Sequence, residues 1–177
     1  SIDVSGATTA FPHNWERSFG SGHALLATRA DWQQQLQLCV DRIGLRGVRM
    51  HGILDDDMSV TPDGKIYHWY NVDRVFDFLV AQGVAPIVEL SFMPKALAQN
   101  KDAYAFGNRG GYKGLTSPPN DYSAWYELIN AFGAHLLSRY GLGVLSRWNF
   151  EVWNEMWGMP YPSAYVPLYN ASARAIK

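Results

Sequence analysis

Apolar residues recur along this chain at two spacings, and the spacings alternate. Behind Asp31, a residue type that caps helices, Trp32, Leu36, Cys39, Val40 and Ile43 fall on one helical face, and Gly44 follows where a helix closes. Gly47–His51 then reads as a short strand. Val72, Val75, Phe76, Leu79 and Val80 define a second helix ended by Gly83, and residues 86–92 form an apolar strand opened by Pro86. After a long irregular stretch, 93–120, Asp121 caps a third helix with Trp125, Leu128, Ile129, Phe132 and Leu136 on one face. Gly141 and Gly143 break it, residues 148–154 form another strand, and a last helix begins between Ser163 and Pro167 and runs towards Lys177.

Strand alternating with helix means βαβ crossovers and a parallel sheet. Residues 15–19 supply a further, earlier strand, although Glu16 and Arg17 interrupt its pattern, giving four strands in all. The glycines between 107 and 114 lack both a preceding strand and a Lys-Ser/Thr ending, so they form no phosphate loop. A loop as long as 93–120 is usually functional or disordered.

Composition narrows the function classes. A formal net charge of −1 leaves no electrostatic footprint for nucleic acid or an anionic membrane. No stretch reaches the roughly 18 apolar residues of a spanning helix, so the chain is expected to be soluble. Its single cysteine, Cys39, provides neither a disulfide framework nor a zinc-type ligand set, and cannot separate cytoplasm from export. The chain begins at Ser1 without Met, so a signal peptide could have been removed or never present. Seven Trp and ten Tyr are unusual: most belong in a core, while some could form the aromatic walls on which sugars stack.

In parallel α/β proteins ligands gather at the C-terminal ends of strands. That rule selects Arg49 and His51 with Asp55, Asp56 and Asp57 beyond them, then Phe92, then Asn154 and Glu155 with Trp157 just after. Glu155, ringed in sequence by Trp153, Trp157 and Met159, should be partly desolvated, which suits a carboxyl to proton donation near neutral pH. Otherwise it is a surface Glu in a loop, and Asn154 beside it favours the catalytic reading. Asp55, Asp56 and Asp57 with His51 offer a site for a hard cation, set against a solvated turn whose acids fix the loop and touch a ligand. The turn is preferred, so no metal and no cofactor is expected. His13, His23, His68 and His135 lack triad partners at any recognisable spacing. His135 reads as a surface or boundary residue, and His23 as a residue at the edge of the site.

The run Phe150-Glu151-Val152-Trp153-Asn154-Glu155 resembles the acid/base motif of glycoside hydrolase family 39. In the same order along the chain, Gly20-Ser21-Gly22-His23-Ala24-Leu25-Leu26, the stretch from Val48-Arg49-Met50-His51 to Asp55-Asp56-Asp57, Val88-Glu89-Leu90-Ser91-Phe92-Met93-Pro94 and Ser138-Arg139-Tyr140-Gly141 are similar to that family too. The resemblance implies an α/β fold, the N-terminal half of a (β/α)8 TIM barrel with about four βα units, so that residues 1–177 form part of a glycosidase domain. It implies a retaining glycosidase that removes a terminal β-linked sugar, in the first instance a β-xylosidase acting on xylo-oligosaccharides in xylan degradation. Glu155 would be the acid/base and Asn154 the contact to the sugar 2-hydroxyl. Arg49, His51 and Tyr161 would be further substrate contacts, to which the strand-end rule adds Asp55 and Phe92.

Two departures qualify that picture. Met156-Trp157-Gly158-Met159-Pro160-Tyr161-Pro162 stands where the family usually has Pro-Asn-Leu and an aromatic pair, so the leaving-group side is expected to differ. Retention also needs a second carboxylate about 5 Å from the first, which the family takes from strand seven. Glu89 and Glu151 are the internal substitutes, but each is expected to point into the barrel or anchor an Arg. The chain alone is therefore expected not to turn over, and its partner would be the missing C-terminal half of the barrel or a second chain. The alternatives are a non-catalytic carbohydrate-binding half-barrel and an iduronidase-like glycosidase of the same family.

Overall fold

A computed structural model describes residues 5–105 and 113–177. The helical spacings become α1 (Ala30–Ile43), α2 (Tyr70–Ala81), α3 (Tyr122–Tyr140), a single turn α4 (Leu142–Leu145) and α5 (Tyr165–Ile176). Four strands run between them: β1 (Phe19–His23), β2 (Gly47–His51), β3 (Ala85–Leu90) and β4 (Asn149–Val152). They pair in parallel, in the order β1-β2-β3-β4, each joined to the next by a helical crossover. This is the parallel α/β sheet that the alternation implied, with the four βα units expected of the half-barrel that the resemblance implied.

The helix ends follow local chemistry. Gly44 closes α1 in the left-handed region at φ 70°, and Asp121 caps α3 by accepting from the Ser123 backbone N–H at 2.8 Å. Asp31 does not cap α1. The helix starts two residues earlier, at Ala30 with Arg29 as its N-cap, and Asp31 lies in the first turn, paired to Arg29 at 2.7 Å, where the helix dipole favours an acid. The first strand is also displaced from its expected place. Asn14–Glu16 is a 3₁₀ turn, and β1 reads Phe-Gly-Ser-Gly-His, with no apolar alternation to reveal it. Pairing holds it there: Phe19 lies opposite Val48, Gly20 opposite Arg49 and His23 opposite His51.

Side chains alternate across a strand, so the sheet has two chemically different faces. Val48, Met50, Val88 and Leu90 share one buried cluster with Val72, Val75, Phe76 and Leu79 of α2 and Leu128, Ile129, Phe132 and Leu136 of α3. The opposite face carries Arg49, His51, Glu89 and Glu151, and the register places Glu89 directly opposite Glu151.

Polar seams lock the outer helices. Trp125, buried between α3 and α5, donates its indole N–H to Ser172 Oγ at 2.8 Å. Arg139 of α3 grips Asp77 of α2 at 2.9 and 2.6 Å, and Tyr140 adds its hydroxyl at 2.9 Å. His135 belongs to this seam, stacked on Trp69 at 5.3 Å and bonded to Asp73 at 2.6 Å. The stretch 93–120 doubles back, with antiparallel bridges joining Ala98 to Pro119 and Tyr104 to Leu115. Gly107, Gly110 and Gly111 lie outside the described residues. Among the described residues, no helix is long and apolar enough to cross a membrane.

Candidate active site

Arg49 is the hub of the polar face. Its Nε and Nη2 donate to Glu151 Oε2 and Oε1 at 2.6 and 2.9 Å, and Nη2 lies 2.6 Å from Glu89 Oε2. The Glu151 hydrogen bond, more than any other contact, holds the guanidinium above its ordinary pKa, while desolvation opposes it. Glu89 is completely buried, at 0 % exposure. Its Oε1 accepts from the Ser91 hydroxyl, and its Oε2 also meets His51 Nδ1 at 2.8 Å. Burial pushes the Glu89 carboxyl above the usual carboxylate range, and the Ser91 hydroxyl, His51 and Arg49 pull back against it. Glu89 and Glu151, the internal substitutes for a nucleophile, are thus both engaged by Arg49. A carboxylate at Nδ1 selects the His51 tautomer protonated there, leaving Nε2 as an acceptor.

Beyond β4 the chain turns sharply. Trp153 and Glu155 sit in the left-handed region at φ 69° and 52°, a conformation that costs a non-glycine residue on the order of 1–3 kcal/mol. The Trp153 indole donates to the Trp157 carbonyl at 3.3 Å and closes the turn. Gly158, at φ 63°, allows it: a Cβ there would lie 1.5 Å from the Thr116 carbonyl oxygen. Glu155 stands exposed on this turn. The partial desolvation expected of it is not what its exposure shows: Trp153 and Met159 are buried, while Met156 and Trp157 are exposed as Glu155 is. Asn154, at 8 % exposure, accepts at Oδ1 from Arg49 Nη2 at 2.9 Å.

The loop after β2 is arranged differently from its expectation. Asp55 is buried, at 3 % exposure, and its Oδ1 accepts from the Phe92 backbone N–H at 3.2 Å. Asp56 Oδ1 accepts from the Lys95 N–H at 3.0 Å. These acids fix the loop to the end of β3, with Asp55, expected as a substrate contact, buried and positioning backbone. The histidine beside the aspartates is His23: its Nε2 lies 3.6 Å from Asp55 Oδ2 and 3.2 Å from Asp57 Oδ2. His51, expected there, is taken by Glu89. Among the described residues, His23, Asp55 and Asp57 are the group that could hold a metal ion, their ligand atoms all within 4.8 Å of one another.

Phe92 is buried as well. Its ring backs His51 at 6.3 Å and meets the Trp153 ring edge-on at 5.4 Å. The residue expected as a substrate contact thus forms a wall behind His51. Tyr161 is 71 % exposed, with Tyr165 as its ring neighbour at 6.5 Å, and the structure does not bring it to the Arg49 hub. Arg49, His51 and Asn154 are gathered through shared partners, and Glu155 adjoins Asn154 on the turn. Glu89 and Glu151 anchor an Arg as expected of them, whereas Ser91, whose hydroxyl donates to Glu89, had no role expected of it. The signal in all three is a polar group inside an otherwise apolar run, which costs stability unless it is paired.

A parallel sheet whose strand ends present a braced amide beside an exposed carboxylate is the class of site carried by α/β barrel enzymes. The profile of glycosyl hydrolases family 39 matches residues 1–177, and the chain belongs to that family. It is 41% identical over 173 residues to a β-xylosidase of Caldicellulosiruptor saccharolyticus, covering 92% of this chain and 34% of that protein. It is 36% identical over 185 residues to a β-xylosidase of Geobacillus stearothermophilus, covering 98% and 36%. It superposes on the crystal structure of a monomeric β-xylosidase from Caulobacter crescentus with TM-score 0.85 and 35% identity, covering 99% of this chain and 36% of that one. The chain therefore spans about a third of the length of these relatives.

Proposed function

We propose that this chain is part of the catalytic domain of a retaining β-xylosidase that removes terminal xylose from xylo-oligosaccharides. The observation that carries the reading is the Asn154–Glu155 pair on a constrained turn at the end of β4, its amide braced by Arg49, in a chain of family 39. β-Xylosidases at 41% and 36% identity favour this sugar over the iduronidase-like alternative. The built polar hub favours an enzyme over a passive sugar-binding half.

Retention proceeds by two displacements. In the first, a carboxylate attacks the anomeric carbon while Glu155 gives its proton to the departing glycosidic oxygen. In the second, Glu155 takes a proton from water as the water displaces the enzyme carboxylate. Asn154 holds the 2-hydroxyl, a contact that strengthens as charge develops on the sugar, and His51 offers its Nε2 to a further hydroxyl. Glu89 and Glu151 are committed to Arg49, so the nucleophile comes from the rest of the barrel. No step calls on a cofactor.

In the complete protein, Glu155→Gln should slow glycosides with poor leaving groups by on the order of a hundredfold or more. Activated aryl glycosides, whose leaving groups need no proton, should lose far less. Steady-state kcat/KM on both classes tests this, and equal losses would remove the acid/base assignment.

A further inference from the structure

We infer that Glu151 is a positioning residue for sugar recognition, acting through Arg49 to fix which end of the Asn154 amide faces the ligand. The inference rests on the reading of Asn154 as the 2-hydroxyl contact and adds how that contact is oriented.

Three features of the hub carry it. Glu151 takes Arg49 at two atoms, Nε and Nη2, at 2.6 and 2.9 Å. A two-point grip fixes the plane of a guanidinium as well as its place. In that plane, Nη2 reaches Asn154 Oδ1 at 2.9 Å. A guanidinium only donates, so the amide must turn its carbonyl to Arg49 and its NH₂ away. The site therefore offers a fixed donor at the end of β4, suited to a hydroxyl oxygen acting as acceptor.

The two carboxylates on Arg49 divide the work. Glu89 is wholly buried, and its Oε2 lies 2.6 Å from Arg49 Nη2. It neutralises the buried side of the cation and is bound to the stability of the sheet. Glu151 is 39% exposed, and its loss leaves Arg49 a charge partner from β3. Without the second grip, Nη2 follows Glu89, Asn154 loses the donor that tells its two ends apart, and the amide presents oxygen or nitrogen to the sugar indifferently.

The test uses the full-length enzyme with an aryl β-xyloside and its 2-deoxy counterpart. Asn154→Ala should lower kcat/KM on the parent substrate and spare the 2-deoxy substrate. Glu151→Gln keeps the side-chain size but breaks the grip. It should cost about tenfold on the parent and less than about twofold on the 2-deoxy substrate. The double variant should be no slower than Asn154→Ala alone, because both act on one contact. Should Glu151→Gln fail to fold, Arg49→Lys, which keeps the charge but cannot be gripped at two points, should show the same selectivity for the parent substrate. Equal losses on both substrates, or a double variant as slow as the product of the two singles, would overturn the relay. If Asn154→Ala itself treats both substrates alike, the 2-hydroxyl reading falls and the relay falls with it.

Discussion

Glu155 occupies a backbone conformation that L-residues avoid. Its φ of 52°, two residues after Trp153 at 69°, is imposed by the turn that Gly158 and the Trp153–Trp157 bond close. Such strain persists where the surroundings dictate it, and functional sites are where it collects. Glu155→Gly would relieve the strain without emptying any core, since the side chain is exposed. Against that gain, glycine brings a more flexible unfolded chain. The expected balance in the complete protein is a gain of about 1 kcal/mol together with loss of proton-assisted hydrolysis. Urea unfolding followed by tryptophan fluorescence measures it, through a midpoint that rises at constant slope. A lowered midpoint would mean that Glu155 makes a stabilising contact in that conformation.

At the scale of elements, the seam between α2 and α3 makes a separable prediction about pH. The Arg139 hydrogen bond, more than any other contact, holds the Asp77 carboxyl below the usual carboxylate range. A folded-state pKa below the unfolded one contributes stability that is present above the unfolded value, about 3.9, and is lost as pH falls through the folded value. Asp77→Asn should therefore cost stability at pH 7 and progressively less in acid. The pair is roughly half exposed, so the cost at pH 7 should stay at or below about 1 kcal/mol and shrink in high salt. Thermal unfolding of both proteins across pH checks this, and a difference that persists undiminished in acid would assign the loss to packing. The sequence showed why these helices form but not this seam. Val72, Val75, Phe76 and Leu79 announce α2 by spacing, whereas Asp77 meets Arg139 only once the crossovers are folded. The same distinction runs through the site. Glu155 and Asn154 were legible because strand ends gather ligand groups. That Glu151 would anchor an Arg was legible too, but its partner, Arg49, lies 102 residues away and is fixed by register across three strands. The first strand was misplaced for a related reason: a Phe-Gly-Ser-Gly-His segment has no periodicity of its own and is a strand because β2 pairs with it.

For the whole molecule, the sheet itself sets the last expectation. β1 and β4 are its outer strands, each paired on one side among the described residues, and outer strands invite further pairing unless something covers them. The polar face between them carries Arg49 against Glu89 and Glu151, with Asn154 and Glu155 at its rim. A barrel would close over this face and bring a second carboxylate to about 5 Å from Glu155. The chain spans about a third of the length of the β-xylosidases it matches, and both of its internal candidates for that carboxylate are held by Arg49. Residues 1–177 produced alone should accordingly give no detectable hydrolysis of an aryl β-xyloside and should sediment above the monomer mass. The full-length protein should hydrolyse the same substrate. Both halves of the expectation have one physical origin, since the part of a barrel that would pair with the outer strands would also bring the nucleophile to the polar face. A stable monomer of these residues that turned over the xyloside would place the nucleophile inside this chain, and Glu151, the more exposed of the two candidates, would be the first residue to replace.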